Sequence, residues 1–211
     1  MSKVVNIPAP GKRELQKEAR RSAIIDAALE VFTSQGFTAA KLDDVAVRAG
    51  IGKGTIYLYF DSKESLFEEV VRRTLFPGRD AAQSFVEGFE GSAAELLTIH
   101  FSGVHAFMQS EKLPPMLAMI MGEAMRFPQL SQFFYDEIIQ PSHKMVLSII
   151  RKGIDSGEFR DDADGIFVQI LMAPVMHGSI WNRQFQHLAP IDPAEYSRNH
   201  IDFILRALRK N

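Results

Sequence analysis

The sequence contains no cysteine among its 211 residues. Disulfides, thiolate metal sites and cysteine nucleophiles are therefore excluded, and this composition suits a reducing compartment. The longest apolar run, Met116–Met121, is far shorter than the roughly 20 residues that a membrane-spanning helix needs. The segment Met1–Pro10 lacks the apolar core of a signal peptide. We therefore expect a cytoplasmic protein that does not enter a membrane.

Motifs for catalysis and metal binding are also missing. The six histidines form no His-Glu-x-x-His pattern, and no Gly-x-Ser-x-Gly occurs. The glycines around Lys53 superficially suggest a phosphate-binding loop. However, Gly54 stands where such a loop has serine or threonine, and a helical pattern precedes the glycines where a strand should be. We expect no metal, no cofactor and no enzymatic activity.

Charge is unevenly distributed along the chain, although the net charge is only −2. Residues 1–76 contain 12 Lys and Arg against 10 Asp and Glu, whereas residues 77–211 contain 12 against 16. A basic N-terminal part joined to an acidic remainder suits a protein that meets nucleic-acid phosphates with one end only.

Strand signals are absent, since there is no sustained period-two alternation and no hairpin turn between β-branched runs. The periodicity predicts an all-α fold of about nine helices, and ten candidate helical segments can be marked along the chain. The first four are expected at about 13–35, 42–49, 53–59 and 62–76, with stops at Gly36, Gly50 and Pro77-Gly78. The others are expected at about 81–88, 92–109, 115–126, 129–156, 163–185 and 193–210. Pro141 and Pro174 should kink or split their helices.

This pattern predicts two domains. Residues 13–60 form a three-helix DNA-binding domain, the helix at about 62–76 connects, and residues 77–211 form a larger helical domain. Helices 2 and 3 are very short and are joined by a turn at Gly50. Because such short helices are unstable alone, they must be packed and presented to something, as in a helix-turn-helix whose second helix enters the DNA major groove.

Candidate DNA contacts follow from this geometry. Lys53 is a candidate for a guanine edge or a phosphate, Gly54 lets the backbone approach DNA closely, and Thr55 can reach a phosphate or a thymine methyl. Tyr57 and Tyr59 lie on different faces, so that one hydroxyl can reach phosphate while the other ring fills a gap. The remaining candidates for phosphate contacts are Lys63, Arg20 and Arg21.

Residues 21–67 resemble the N-terminal domain of TetR-family transcriptional regulators. The resemblance rests on Asp44-Val45-Ala46, Ala49-Gly50-Ile51-Gly52-Lys53-Gly54-Thr55-Ile56-Tyr57-Leu58-Tyr59-Phe60 and Ser62-Lys63-Glu64-Ser65-Leu66-Phe67. It implies an all-helical cytoplasmic homodimer that represses promoters and releases DNA when a small molecule binds. The family often has Thr-Thr where this chain has Ala39-Ala40, so that Thr38 or Lys41 takes over the corresponding phosphate contact.

The C-terminal part is rich in methionine and phenylalanine, which suit an adaptable apolar pocket with a few polar anchors. Ordinary core packing is the alternative for any one of these residues. The candidates for binding an unknown small-molecule effector are Phe101, His105, Met108, Met116, Met119, Glu123, Phe133, Phe134, Met172, Met176, His177 and Trp181.

The last two helices carry apolar stripes that would form a four-helix dimer interface. The stripes comprise Ile166, Ile170, Ala173 and Ile180, then Ile201, Ile204, Leu205 and Leu208. A core within one chain is the alternative for these residues. A dimer is expected because two-fold symmetry doubles the contacts with a palindromic site.

Together these features favour a dimeric, ligand-responsive repressor that binds a palindromic operator through helix 3 and is released by a small apolar or amphipathic effector. One alternative is an all-helical enzyme or ligand carrier whose N-terminal helices are purely structural, with His105, Glu123 and His177 as the groups to test. Another is a DNA-bound activator.

Overall fold

The computed structural model describes residues 11–110, 113–123 and 126–210, so that Met1–Pro10 lies outside the described residues. These ranges contain ten α-helices and no β-strand, which confirms the all-helical prediction. The chain divides into two compact units, Met1–Arg72 and Arg73–Asn211.

The first unit contains α1 (Lys12–Gln35), α2 (Leu42–Arg48), α3 (Lys53–Ile56) and the beginning of α4 (Lys63–Gly88). Three buried rings, Phe32, Phe37 and Phe67, form its centre with ring centroids 5.1–5.7 Å apart. The predicted stop at Gly36 is confirmed, because its φ of 79° is a conformation that only glycine adopts easily.

Helix α4 differs from the prediction at Pro77. The pair Pro77-Gly78 was expected to end the helix, but α4 continues through it to Gly88. Proline removes one backbone donor and crowds the carbonyl four residues before it, which disfavours a helix without forbidding it. The separate helix expected at 81–88 is therefore the last part of α4.

The second unit contains the remaining six helices. These are α5 (Ala93–Phe107), α6 (Leu113–Glu123), α7 (Pro128–Phe134), α8 (Gln140–Asp155), α9 (Val168–Gln184) and α10 (Pro193–Leu208). The expected split near Pro141 is confirmed, since the five-residue π-helical segment Tyr135–Ile139 separates α7 from α8. Pro174 remains within α9.

Helices α5, α8 and α10 supply the centre of the second unit. Their buried side chains include Leu96, Leu97, Phe101, Val146, Ile149, Ile150, Ile204 and Leu208. Gly153 on α8 is required here, because a Cβ at that position would lie 2.1 Å from the ring of Phe159. Glu158 closes the same region by accepting hydrogen bonds from the N–H groups of Ala93 and Ala94 at the start of α5, at 2.9 and 3.1 Å.

Candidate functional site

The turn between α2 and α3 is fixed by backbone geometry. Gly50 has a φ of 65°, and the N–H of Ile51 donates to the carbonyl of Ala46 at 3.0 Å. A further turn follows α3, in which the N–H of Phe60 donates to the carbonyl of Ile56 at 3.0 Å. Ile56 and Phe60 are both buried and anchor this short segment.

The other side of the segment faces outward. Lys53, Gly54, Tyr57 and Leu58 are exposed, with Leu58 at 78% and Tyr57 at 55%, whereas Tyr59 is half-buried. The exposed apolar atoms at these positions can contact a second molecule, for example the methyl groups of thymine. The half-buried ring of Tyr59 is placed as expected for the tyrosine that packs inward.

Gly54 has no packing reason to be glycine. Among the residues that the structure describes, none would lie within 4 Å of a Cβ at this position, and the φ of Gly54 is not positive. Glycine in a helix is destabilising relative to alanine. A close approach by another molecule would account for the missing side chain, which agrees with the role predicted for Gly54.

The residues predicted to contact DNA phosphates differ in their exposure and in their partners within the protein. The exposed ammonium of Lys53 pairs with the carboxylate of Asp43, whose hydrogen bond and charge raise the pKa of Lys53 above its ordinary value. Arg21 is half-buried and pairs with Glu69, and its guanidinium lies 5.3 Å from the ring centre of Phe60. Arg20, Thr38 and Lys41 are exposed, and Thr55 is half-buried.

Lys63 is used within the protein itself. Its ammonium donates to the carbonyls of Phe37 at 2.7 Å, Ala40 at 3.1 Å and Thr38 at 3.3 Å, and lies 4.5 Å from the ring centre of Phe37. An ammonium has three donors, so these carbonyls use all of them. The Lys63 side chain therefore holds the loop between α1 and α2 against α4. Its ammonium has no donor left for a DNA phosphate.

A small, partly open cavity of about 20 Å³ lies between α5, α9 and α10. It is lined by His105, Met108, Gln109, Val175, Gly178, Ser179, Asn182, Ile191, Pro193 and Tyr196. This volume holds about one water molecule, far less than the 300–1,000 Å³ of ordinary ligand pockets. A wider depression of about 640 Å³ on α8 is open to solvent and has a single helix as its wall.

Only two of the twelve predicted effector residues, His105 and Met108, line this cavity. Five members of the predicted set are buried and six are half-buried, and the buried ones are Phe101, His105, Met108, Met116 and Phe134. The half-buried ones are Met119, Glu123, Phe133, Met172, Met176 and Trp181. His177 is exposed and its ring lies 5.6 Å from that of Trp181, which corrects its expected place inside a pocket.

The prediction missed Gln109, Ser179 and Tyr196. On α9, the positions Val175, Gly178, Ser179 and Asn182 follow the spacing of one helix face, and that small, partly polar stripe was the available signal. No sequence signal connects this stripe with Tyr196, whose hydroxyl donates to the carbonyl of Pro174 at 2.9 Å.

Gly178 allows Tyr196 to pack closely against α9. A Cβ on Gly178 would lie 2.6 Å from the tyrosine ring. Pro174 also lacks an N–H, so that α9 has one helical hydrogen bond fewer at the same level. The cavity wall is therefore built around a locally weakened part of α9.

A buried histidine pair lies at one side of the cavity, which His105 lines and His200 supports from behind. His105 Nε2 and His200 Nδ1 are 2.9 Å apart and form a hydrogen bond between α5 and α10. The ring of His200 packs edge-on against Phe101 with centroids 5.4 Å apart. Burial lowers the pKa of both imidazoles, that of His200 to about 4. Both rings are therefore neutral near pH 7.

The predicted dimer residues fall into two groups. Ile201, Ile204 and Leu208 are buried within the chain itself, which corrects their expected place on a free surface. They belong to the face of α10 that contacts α5, and the alternative of an intrachain core holds for them. By contrast, Ile170, Ala173 and Ile180 are exposed, and Ile166 and Leu205 are half-buried.

Large apolar side chains that were not predicted extend the exposed set. Phe167 at the start of α9 is 71% exposed, and Phe203 on α10 is 63% exposed. An isolated exposed apolar residue is ordinary, whereas several on two neighbouring helices indicate an interaction surface.

The described residues meet the requirements of neither a membrane-spanning helix nor a metal site of three or more ligands. Within them, no helix has the length and apolarity required to cross a bilayer. No group of three or more His, Cys, Asp or Glu side chains in the same part of the chain could hold a metal ion.

Two family models match the sequence. The model of bacterial regulatory proteins of the TetR family matches residues 24–70, and that of the C-terminal domain of tetracyclin repressor-like proteins matches residues 90–198.

Individual relatives are similar over much of the chain. The helix-turn-helix transcriptional regulator YhgD of Bacillus subtilis is 30% identical over 138 residues, 65% of this chain and 69% of that protein. The transcriptional repressor KstR2 of Mycolicibacterium smegmatis is 24% identical over 197 residues, 93% of this chain and 94% of that protein.

A solved structure shows the same fold. The transcriptional regulator FadR from Bacillus subtilis, crystallised in complex with stearoyl-CoA, aligns with a TM-score of 0.68 at 21% identity. The alignment covers 88% of this chain and 98% of that chain. All three proteins are regulators of transcription, in keeping with the expectation of a non-enzymatic protein.

Proposed function

Since the chain belongs to the TetR family of transcriptional regulators, we propose that it is a homodimeric repressor that binds a palindromic operator through α3. A small effector bound in the second unit releases it from DNA. The single observation that carries this proposal is the outward face of α3, where exposed Lys53, Gly54, Tyr57 and Leu58 stand on a segment anchored by buried Ile56. The protein acts in the cytoplasm, where its DNA is.

Contacts with DNA divide into two kinds. Tyr57, Leu58 and the backbone at Gly54 are placed to meet base edges, and Thr55 to meet a base or a phosphate. Arg20, Thr38 and Lys41 are exposed and contact phosphates on the flanks. Because these contacts release counterions, affinity should fall steeply with salt concentration.

The proposed dimer forms through the outer faces of α9 and α10. Exposed Phe167, Ile170, Ile180 and Phe203 would leave water when two copies meet. A self-complementary surface of this kind gives a two-fold axis. Two copies of α3 then read half-sites one helical turn apart, roughly 34 Å.

Release by effector follows from a shift between conformations. The partly open cavity of about 20 Å³ is too small for an organic effector, so that binding must separate the helices around it. Separating the helices should cost the least free energy at the locally weakened part of α9 near Pro174. The complex of the related FadR with stearoyl-CoA supports an organic effector in this class of fold.

The test is selection of bound duplexes from a random-sequence library, followed by gel-shift titration at several salt concentrations. We expect an inverted repeat and a linear fall of log affinity with log salt. Recovery of duplexes without any shared sequence would contradict the proposal. So would operator binding by a protein that remains monomeric on DNA.

A further inference from the structure

The cavity in the second unit is polar but carries no fixed charge. Five of its ten lining residues are polar, namely His105, Gln109, Ser179, Asn182 and Tyr196. None of the ten is Asp, Glu, Lys or Arg. A cationic ligand would find no carboxylate here, and burying an unpaired cation is costly.

The His105–His200 pair can supply a positive charge at this wall. In the neutral pair, two protons are shared among four ring nitrogens, so that one outer nitrogen has no proton. The outer nitrogen of His200, Nε2, is buried and makes no hydrogen bond of normal geometry with the described residues. A third proton would give both outer nitrogens an N–H and would place an imidazolium beside the cavity.

The surroundings of the pair oppose that charge in the empty protein. Burial, and then the neighbouring His105, lower the pKa of His200, and the backbone at Leu171 offsets this only in part. Three other titratable groups on α5, α8 and α10, namely His100, His143 and Tyr196, do not supply an opposite charge. Burial lowers the pKa of His100 and His143 and raises that of Tyr196.

Charged groups elsewhere on these helices are also unsuited. His177 and Arg183 on α9 are exposed, and Asp202 on α10 is paired with Arg206 at 2.8 Å. The cavity therefore lacks an anion, and an anion is what the pair needs in order to hold a proton.

Resting on the proposed effector-controlled function, we propose that this cavity receives the negatively charged end of an organic acid, and that the His105–His200 pair takes up one proton from solvent as the acid binds. The anion then faces the imidazolium, with Gln109, Ser179 and Asn182 as hydrogen-bonding partners. Met108, Val175 and Ile191 receive the first apolar atoms of the ligand.

The probe is hexanoate, with hexanamide and hexylammonium as neutral and cationic molecules of the same shape. Full-length protein labelled with ¹⁵N in histidine reports the protonation of each ring by NMR. At about pH 7 we expect saturating hexanoate to convert the pair to the imidazolium form, whereas the other two probes leave it neutral. Because binding takes up one proton, hexanoate affinity should fall about tenfold for each unit by which the pH rises, between the pKa of the free pair and that of the pair in the complex.

Matched variants separate the pair from the other histidines. His105→Gln keeps a hydrogen-bonding side chain that cannot be protonated and removes the ring that lines the cavity, so that it should bind hexanoate more weakly and with a smaller pH dependence than the wild type. His187→Gln removes an exposed histidine outside the cavity and should retain it. If His105→Gln does not fold, His200→Gln and the NMR titration of the wild type still show whether the pair takes up a proton when hexanoate binds.

Several results would overturn the proposal. These are hexanoate bound beside a neutral pair, no binding of hexanoate, or equal binding of the amide or the ammonium. A gel-shift with the selected operator distinguishes this failure from that of the proposed function. If an uncharged compound releases the operator, only the proposed acid site is overturned. If the protein shows no sequence-specific DNA binding, the repressor function is overturned, and proton-linked hexanoate binding can still be measured.

Discussion

The ammonium of Lys53, at the start of the proposed reading helix, is paired with the carboxylate of Asp43 on α2. Both side chains are exposed or partly exposed, so that solvent weakens the pair. A phosphate would have to replace Asp43 as the partner of Lys53. If Lys53 contacts DNA as proposed, the pair should lower DNA affinity without preventing binding.

Replacing Asp43 with Asn should strengthen operator binding by about two- to fivefold, the range for losing an exposed competing ion pair. The gain should shrink at high salt, because surface charges are then screened. Gel-shift titrations at low and high salt measure both effects. Asp161→Asn makes the same change of charge on the second unit and should leave the affinity unaltered; an equal gain in both variants would mean that net charge alone is responsible.

Replacing Gly54 with Ala should keep the fold and weaken DNA binding. The added methyl group would meet no atom of the described residues within 4 Å, and it improves helix propensity by up to about 1 kcal/mol. On DNA it would occupy the space of closest approach, and we expect operator affinity to fall roughly tenfold, the effect of losing about one base contact. Urea unfolding and gel-shift titration measure the two quantities.

The control is Gly103→Ala on α5, where a Cβ also meets nothing within 4 Å. This variant should gain stability in the same way and bind DNA normally. Unchanged operator affinity in Gly54→Ala would remove Gly54 from the reading surface.

Replacing Ile170 with Glu should dissociate the proposed dimer, since a carboxylate would be buried without a partner. Sedimentation velocity should show the monomer at concentrations where the wild type is a dimer, and operator affinity should fall at least about tenfold. Ile99→Glu on α5 introduces the same charge at another exposed isoleucine and should not change the oligomeric state. A dimer that survives Ile170→Glu would place the interface elsewhere.

Replacing Glu158 with Gln should destabilise the second unit by about 1 kcal/mol, because the charged cap of α5 is weakened. Burial by itself would raise the pKa of Glu158, but hydrogen bonds from Ala93, Ala94 and Ser156 and the charge of Lys152 outweigh it and lower the pKa below 4.5. A lowered folded-state pKa contributes stability above the unfolded-state value and loses it as the pH falls through the folded-state value.

The difference in unfolding free energy between wild type and Glu158→Gln should therefore be complete near neutral pH and shrink below about pH 4.5. Urea unfolding at several pH values measures this. Glu90→Gln, at an exposed glutamate three residues before Ala93, should show neither effect. A difference that persists unchanged in acid would mean that the cap does not depend on charge.

The turn-forming residues of the first unit could be predicted because their signals are local. Gly36 and Gly50 have the positive φ expected of glycines that end helices. Ser62 caps α4 in the same local way, since its hydroxyl accepts from the N–H of Ser65 at 3.0 Å. The prediction at Pro77 was wrong for a related reason: a proline disfavours a helix locally, but flanking helical turns can outweigh one lost hydrogen bond.

Lys63 shows where local reasoning ends. Its position in the first turn of α4 suggested a phosphate contact, but the carbonyls that bind its ammonium belong to the segment Phe37–Ala40, more than 20 residues earlier. A sequence motif identifies a lysine at this position, but it does not identify the oxygen atoms that the lysine side chain contacts.

Helical periodicity and turn chemistry, which can be read from the chain alone, were enough for the all-helical fold, the helix-turn-helix and the presence of apolar stripes on α9 and α10. Folding in three dimensions settled that Ile204 packs inside the chain while Ile170 faces outward, and that His105 meets His200 from 95 positions away. The physical reason is that spacing defines the faces of one helix, whereas the burial of a face depends on which other helices cover it, and this is a property of the path of the whole chain.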